Sequence, residues 1–246
     1  MAKPRHLTHA PIREAVIDIQ FQAATNQQDV ASFAQQYANG RGRLHDLWAA
    51  SLEVRVGASG IEQARTGSQI GKRLDFDDGK HVAQFRVNGF TFSRLAPYET
   101  WESMNESASG AWAEYSSAIQ PREVNRIALR YINSLCIPLP VEKVESYLPY
   151  GPRLPPELPQ VIGGFLNRVQ INDVATGDFA IVTQMVESVT PDGAGLNVLF
   201  DIDVSHPCNL VWGDDDQMSE VLSRLRGLKN KVFFGFLEEK TLEPYI

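Results

Sequence analysis

The sequence predicts an α+β protein, with antiparallel sheet carrying a few amphipathic helices. Three observations lead there. Short stretches of alternating apolar and polar residues recur along the chain, as half-buried strands require. Asp78-Gly79 and Asn88-Gly89 separate some of them, and such pairs supply the positive φ values of tight hairpins. Longer stretches carry apolar residues at helical spacing, the stripe of a helix lying on a sheet. A meander followed by a helix occurs twice. The pattern therefore predicts two related sheet-plus-helix units packed into one compact body. Residues 1–137 form the first, 138–160 a connector and 161–246 the second.

Taken in order, residues 1–10 are polar and predict a loose arm. In 12–21, Ala15, Ile17, Ile19 and Phe21 fall on one face and Glu14, Val16, Asp18 and Gln20 on the other, which predicts a half-buried strand. Residues 26–38 place Val30, Phe33, Ala34 and Tyr37 on one helical stripe, with Thr25 or Asn26 as N-cap and Asn39-Gly40 as the stop. Leu44, Leu47 and Trp48 could extend helically, and 57–67 reads as a loop. Strands at 68–76, 81–87 and 90–95 then make a meander.

A helix over 98–119 follows, with Trp101, Met104, Trp112, Tyr115 and Ile119 expected in the core, and Pro121 stops it. The next strand, 125–136, carries Arg126 and Arg130 on one face and apolar side chains on the other. It is expected near the centre of the fold, at the seam between halves. Seven prolines between 138 and 159 exclude regular structure there, apart from one short helix near 141–147. Strands at 164–171, 179–189 and 196–204 precede a helix over 214–236. Asp214, Asp215 and Asp216 stand at its start, where an N-cap and a favourable first-turn charge belong. Phe233, Phe234 and Phe236 cannot all face one sheet. They need cover from the C-terminal residues or the other half, or from a second subunit in a homodimer.

Composition narrows the function classes. Hydrophobic residues make up 43% and the formal net charge is -7, which weighs against nucleic-acid binding over the whole surface but leaves room for a local basic patch. No apolar run approaches the ~18 residues of a membrane helix, and the N-terminus lacks the apolar core of a signal peptide. Cys136 and Cys208, outside any CxxC, are expected as buried free thiols in a reducing cytoplasm. No phosphate-binding glycine loop and no HExxH is present, so no cofactor is expected.

Two constellations remain. Arg126 and Arg130 lie four apart on a strand, hence on one face, and Arg86 is expected on a neighbouring strand facing the same way. Three guanidiniums so placed could grip an anionic ligand or the carboxylates of a protein partner. Otherwise each pairs with an acid such as Glu14, Asp18 or Glu123. Asp201 and Asp203 alternate on one strand and Glu187 lies on a strand expected to pair with it. Converging carboxylates could hold Mg²⁺ or Mn²⁺ for phosphodiester cleavage; otherwise they line a solvent face.

Four segments carry a resemblance. They are Pro11-Ile12-Arg13-Glu14-Ala15-Val16-Ile17, Leu95-Ala96-Pro97-Tyr98-Glu99-Thr100-Trp101, Arg126-Ile127-Ala128-Leu129-Arg130-Tyr131-Ile132-Asn133 and Lys229-Asn230-Lys231-Val232-Phe233-Phe234. In this order the chain resembles a sporadically distributed family of uncharacterised bacterial proteins of about this length. The resemblance implies a self-contained domain with no assigned activity, in mobile, defence-related or toxin–antitoxin-like contexts. It supplies no catalytic residue. The expected function is thus a non-catalytic binding or interaction protein using Arg86, Arg126 and Arg130. A metal-dependent phosphodiesterase or nuclease using Glu187, Asp201 and Asp203 is the alternative.

Overall fold

A computed structural model describes residues 1–23, 25–57, 60–141, 143–160, 162–211 and 213–246, with the side chains of 50–57 and 60–66 outside the description. The chain forms one nine-stranded sheet. Its strands are β1 (Ile12–Phe21), β2 (Gly42–Gly57), β3 (Gly60–Phe76), β4 (His81–Arg86), β5 (Gly89–Leu95), β6 (Glu123–Pro138), β7 (Leu166–Asn172), β8 (Phe179–Val189) and β9 (Gly195–Val211). They lie in the order β2-β3-β4-β5-β1-β6-β9-β8-β7, every neighbouring pair antiparallel. The helices are α1 (Gln27–Ala38), α2 (Trp101–Ile119), α3 (Asp215–Gly235) and the short α4 (Glu239–Leu242).

The three long helices pack on one face of the sheet. On β1 the expected alternation holds: Ala15, Ile17, Ile19 and Phe21 are buried toward the helices. Opposite them in register stand Tyr131, Leu129, Ile127 and Val124 of β6. Phe33 of α1 and Tyr115 of α2 meet Phe85 of β4, Trp112 of α2 meets Phe21 and Phe90, and Phe233 of α3 stacks on Phe200 of β9. Burying each such ring contributes roughly 1.5–3 kcal/mol, so helix stripe and sheet face hold each other in place. The caps follow the sequence. Asn26 accepts from the amides of Gln28 and Asp29, Thr100 from Ser103, and Asp214 from Gln217.

Four expectations are corrected. The stretch 44–57 is strand, not helix, and most of 57–67 pairs as strand rather than loop, with residues 58 and 59 outside the described residues. A register shift between Leu47 and Trp48 breaks the alternation and leaves an i, i+3, i+4 spacing that imitates a helix. At Gly71 on β3 the backbone comes so close to β4 that a Cβ would run into the Phe85 carbonyl, so a strand can carry glycine here for a packing reason. The N-terminal arm is docked rather than loose. Ala2 and Leu7 are buried, the Ala2 amide bonds to the Leu237 carbonyl, and Arg5 pairs with Glu239. β9 does not end at 204 as expected but continues through His206, Pro207 and Cys208; Pro207 is accommodated at a register shift between β9 and β6. Cys136 is exposed, because it alternates with buried Leu135 and Ile137, and Cys208 is only half-buried. Both thiols are free.

The two halves form one mixed α+β body. Residues before the connector give six strands and two helices, and those after it give three strands, α3 and the short α4, so a duplication is not shown. β6 joins the halves: it pairs with β1 on one side and over fifteen residue positions with β9 on the other. Among its described residues the proline-rich connector holds only a 3₁₀ turn at Val144–Ser146, and it lies against the C-terminal end of α3, where Tyr150 packs on Phe236. The phenylalanines are thus covered from within the chain: Phe233 and Phe234 are buried, beside Leu237 and Leu242. Among the described residues no helix is long and apolar enough to cross a membrane.

Candidate functional site

The other face of the sheet carries no helix among the described residues, and the three expected arginines stand on it. Arg86, Gly89, Gln20 and Arg126 form one row across β4, β5, β1 and β6. The Arg86 guanidinium folds over Gly89, where even a Cβ would meet it. Asp18 lies between the two arginines and accepts from Arg86 Nη2 and from Arg126 Nη1 (3.1 Å), with the Thr91 hydroxyl donating to it as well (2.7 Å). Arg130 grips Asp201 with two bonds, Nε at 2.9 Å and Nη2 at 2.8 Å, and this pairing holds its guanidinium still more firmly protonated. The floor under these side chains is small: Thr91, Ala128 and Ser205 are buried beneath the arginine stems. The structure therefore brings Arg86, Arg126 and Arg130 to one face, and each already has a carboxylate.

The three carboxylates are likewise divided among guanidiniums. Glu187 sits against Arg13 at 3.2 Å, Asp201 against Arg130, and Asp203 reaches Arg126 only at 3.5 Å. Burial raises the Asp203 carboxyl above its usual range, Arg126 and Arg130 offsetting only part of that, and its Oδ1 accepts no hydrogen bond. Among the described residues no three His, Cys, Asp or Glu side chains are gathered as a metal ion would need.

The helix-covered face holds a different arrangement. Where α2 begins, α3 passes β6 and the N-terminal arm crosses both, a crevice of about 430 Å³ opens. Tyr131 and Asn133 of β6 form its floor, Tyr98 and Trp101 one wall, and Arg226, Lys229 and Phe233 of α3 another; residues 4–7, 10 and 11 of the arm close the third side. Asn133 is 0% exposed. Its amide nitrogen donates to the Tyr131 and Phe200 carbonyls (3.2 and 2.9 Å), while its Oδ1 has no donor. Lys229 rests its ammonium on the Tyr131 ring, 4.0 Å from the centroid. No carboxylate is within ion-pair distance of it among the described residues. Burial, with the nearby Arg226 charge, pulls the Lys229 amine down to about 8. Arg226 itself is engaged at the mouth, bonded to Glu102 at 3.1 Å and stacked over Trp101. The Tyr98 and Tyr131 hydroxyls touch at 3.2 Å, and burial raises both phenols, which stay neutral near pH 7.

A third polar cluster is structural. Asp178, 2% exposed, accepts from Arg224 Nε and Nη2 at 2.7 and 3.0 Å and lies 2.8 Å from His206 Nδ1. It ties the β7–β8 turn to α3 and β9.

Sequence reasoning missed Asn133, Lys229 and Tyr98 as a group. The signal lay in the segments quoted for the resemblance: 11–17, 95–101, 126–133 and 229–234 each contribute residues to this crevice. The arginines of the third segment drew the eye to the opposite face, although the strand's alternation sends Tyr131 and Asn133 the other way. No family model matches the chain, and no curated protein matches it.

Proposed function

We propose that the protein is a non-catalytic binding protein, and that it takes an anionic ligand in the helix-side crevice rather than on the arginine face. The observation that carries this reading is the pair of unmatched groups in one crevice: a buried Asn133 acceptor without a donor and a Lys229 ammonium without a carboxylate. Leaving a buried polar atom unmatched costs about 1–3 kcal/mol, so an occupant supplying both partners recovers that cost on binding. The crevice is also of ordinary ligand size, near the ~300–1,000 Å³ of small-molecule sites. The arginine face is self-neutralised by comparison, because any anion there competes with Asp18 and Asp201. Two free thiols fit a reducing cytoplasm, and the resemblance supplies a bacterial, defence-related setting for the reading.

The test is retention of ligand. Protein purified from its native host is denatured, and the released small molecules are identified by mass spectrometry. The wild type is expected to release one anion near stoichiometry and Lys229→Met to release none. Equal release from both, or release that is lost only on replacing Arg126 and Arg130, moves the site to the other face.

A further inference from the structure

Resting on that reading, we infer that the crevice takes a small aromatic monocarboxylate that also bears a hydroxyl or N–H donor, its carboxylate on Lys229 and its donor on the Asn133 side-chain oxygen. Each part follows from a group on the wall. Tyr98, Trp101, Tyr131 and Phe233 present aromatic surface on several sides, which suits a flat ring. Asn133 Oδ1 is an acceptor only, and both hydrogens of its amide are held by main-chain carbonyls, so what faces it must donate.

The anion is a carboxylate rather than a phosphate because the crevice has one unmatched cation. Phosphate dianions are typically met by an arginine fork or by several cations together. Here the arginine fork is tied to Glu102. Glu99, also lining the crevice, is itself paired with Arg94 and Lys80, so that wall offers no further free cation. A single charge on Lys229 is balanced; a second would find no cation of its own. The neutral Tyr98 and Tyr131 hydroxyls add a hydrogen-bond donor without adding charge.

The experiment is titration calorimetry of the full chain with four probes sharing one ring: 4-hydroxyphenylacetate, phenylacetate, phenyl phosphate and tyramine. The wild type is expected to bind 4-hydroxyphenylacetate best. Phenylacetate, lacking the donor, should bind about 5- to 10-fold more weakly, the effect of one hydrogen bond to a buried acceptor. Phenyl phosphate should bind at least about 10-fold more weakly, and tyramine, with its cation beside Lys229, should not bind. Lys229→Met should lower 4-hydroxyphenylacetate affinity by about 10-fold or more, and Lys229→Arg, which keeps the charge, should retain most of it. The arms separate two failures. If phenyl phosphate or tyramine binds best and Lys229→Met abolishes it, the crevice is the site but the ligand class is wrong. If no probe binds the wild type at about 10 mM, or if Lys229→Met binds all of them as the wild type does, the crevice reading falls as well.

Discussion

The two faces of the sheet treat charge in opposite ways. On the uncovered face, Arg86, Arg126 and Arg130 lie over small residues and each has an acid: Asp18 serves two of them and Asp201 the third. On the helix side, Lys229 and Asn133 sit in a crevice with groups left unmatched. The difference teaches that a cation's visibility in a sequence says little about its availability. Arginines repeated at strand spacing are conspicuous, and here they cross-link strands. A lysine on the apolar side of a helix looks like an ordinary flank residue, and here it faces a cavity.

The comparison can be broken first where the effect is largest. Asp18→Ala leaves the Arg86 and Arg126 guanidiniums and the Thr91 hydroxyl without their common acceptor. We expect a loss of about 3 kcal/mol in denaturant unfolding at pH 7, because the site is only partly exposed and two charges are orphaned. If the loss is below about 0.5 kcal/mol, the arginine face is loosely held and free to bind anions after all.

The Asp178 cluster comes next. Arg224→Ala should cost roughly 2 kcal/mol by leaving a buried carboxylate with His206 alone. Burial by itself would raise the Asp178 carboxyl, but hydrogen bonds and charge from Arg224, with Thr176 and His206, hold it below the ordinary range. A depressed folded-state value means stability that is present above the unfolded carboxylate pKa and is lost as pH falls through it toward the folded value. Wild-type stability should therefore decline on that acid limb, and Arg224→Ala should flatten the decline.

Much of the fold was readable in the sequence because local rules and packing agree there. The Asp78-Gly79 turn, the Asn26 and Asp214 caps and the alternation of β1 each state a local preference that the tertiary structure keeps. The β2–β3 hairpin was not readable, since the register shift at Leu47 and Trp48 destroys the period that identifies a strand. The docked arm was missed because its anchors, Ala2 and Leu7, are isolated apolar residues, and the carbonyl that holds Ala2, that of Leu237, lies more than two hundred positions away. The crevice was illegible for the same reason: Tyr98, Asn133 and Lys229 come from three distant elements, and only the sheet order makes them neighbours. The placement of all three arginines on one face, by contrast, needed only strand parity, although β4 is not the neighbour of β6 that was expected: β5 and β1 lie between them.

A smaller effect sharpens the contrast on the arginine face. Burial raises the Asp203 carboxyl, so its charged form is held at a disadvantage in the folded protein. Asp203→Asn should leave stability at pH 7 unchanged or raise it, by under about 1 kcal/mol, whereas replacing Asp18 should lower it. Equal losses from the two would mean that Asp203 is a full member of the arginine network rather than its under-partnered edge.

The last prediction concerns Lys229, and its sign is the reverse of a paired lysine's. Its amine sits at about 8 in the folded protein against 10.5 ordinarily, so between those values the unfolded chain holds more protons than the folded one. Stability then rises with pH across that window, and the charge is a burden below it. Lys229→Met removes the burden together with a cation–π contact worth about 0.5–1 kcal/mol, and because the burden is the larger of the two the variant should be the more stable at pH 7. The measurable difference is in slope: wild-type unfolding free energy should gain on Lys229→Met between pH 8 and 10.5. An anion bound on the ammonium should raise the amine's pKa, so binding near pH 8 takes up protons, and the calorimetric heat then varies with the buffer's own ionisation enthalpy. The arginine face makes no such demand, because guanidiniums take up no proton in this range. Buffer-independent heats near pH 8 would show that the ligand's charge does not rest on Lys229.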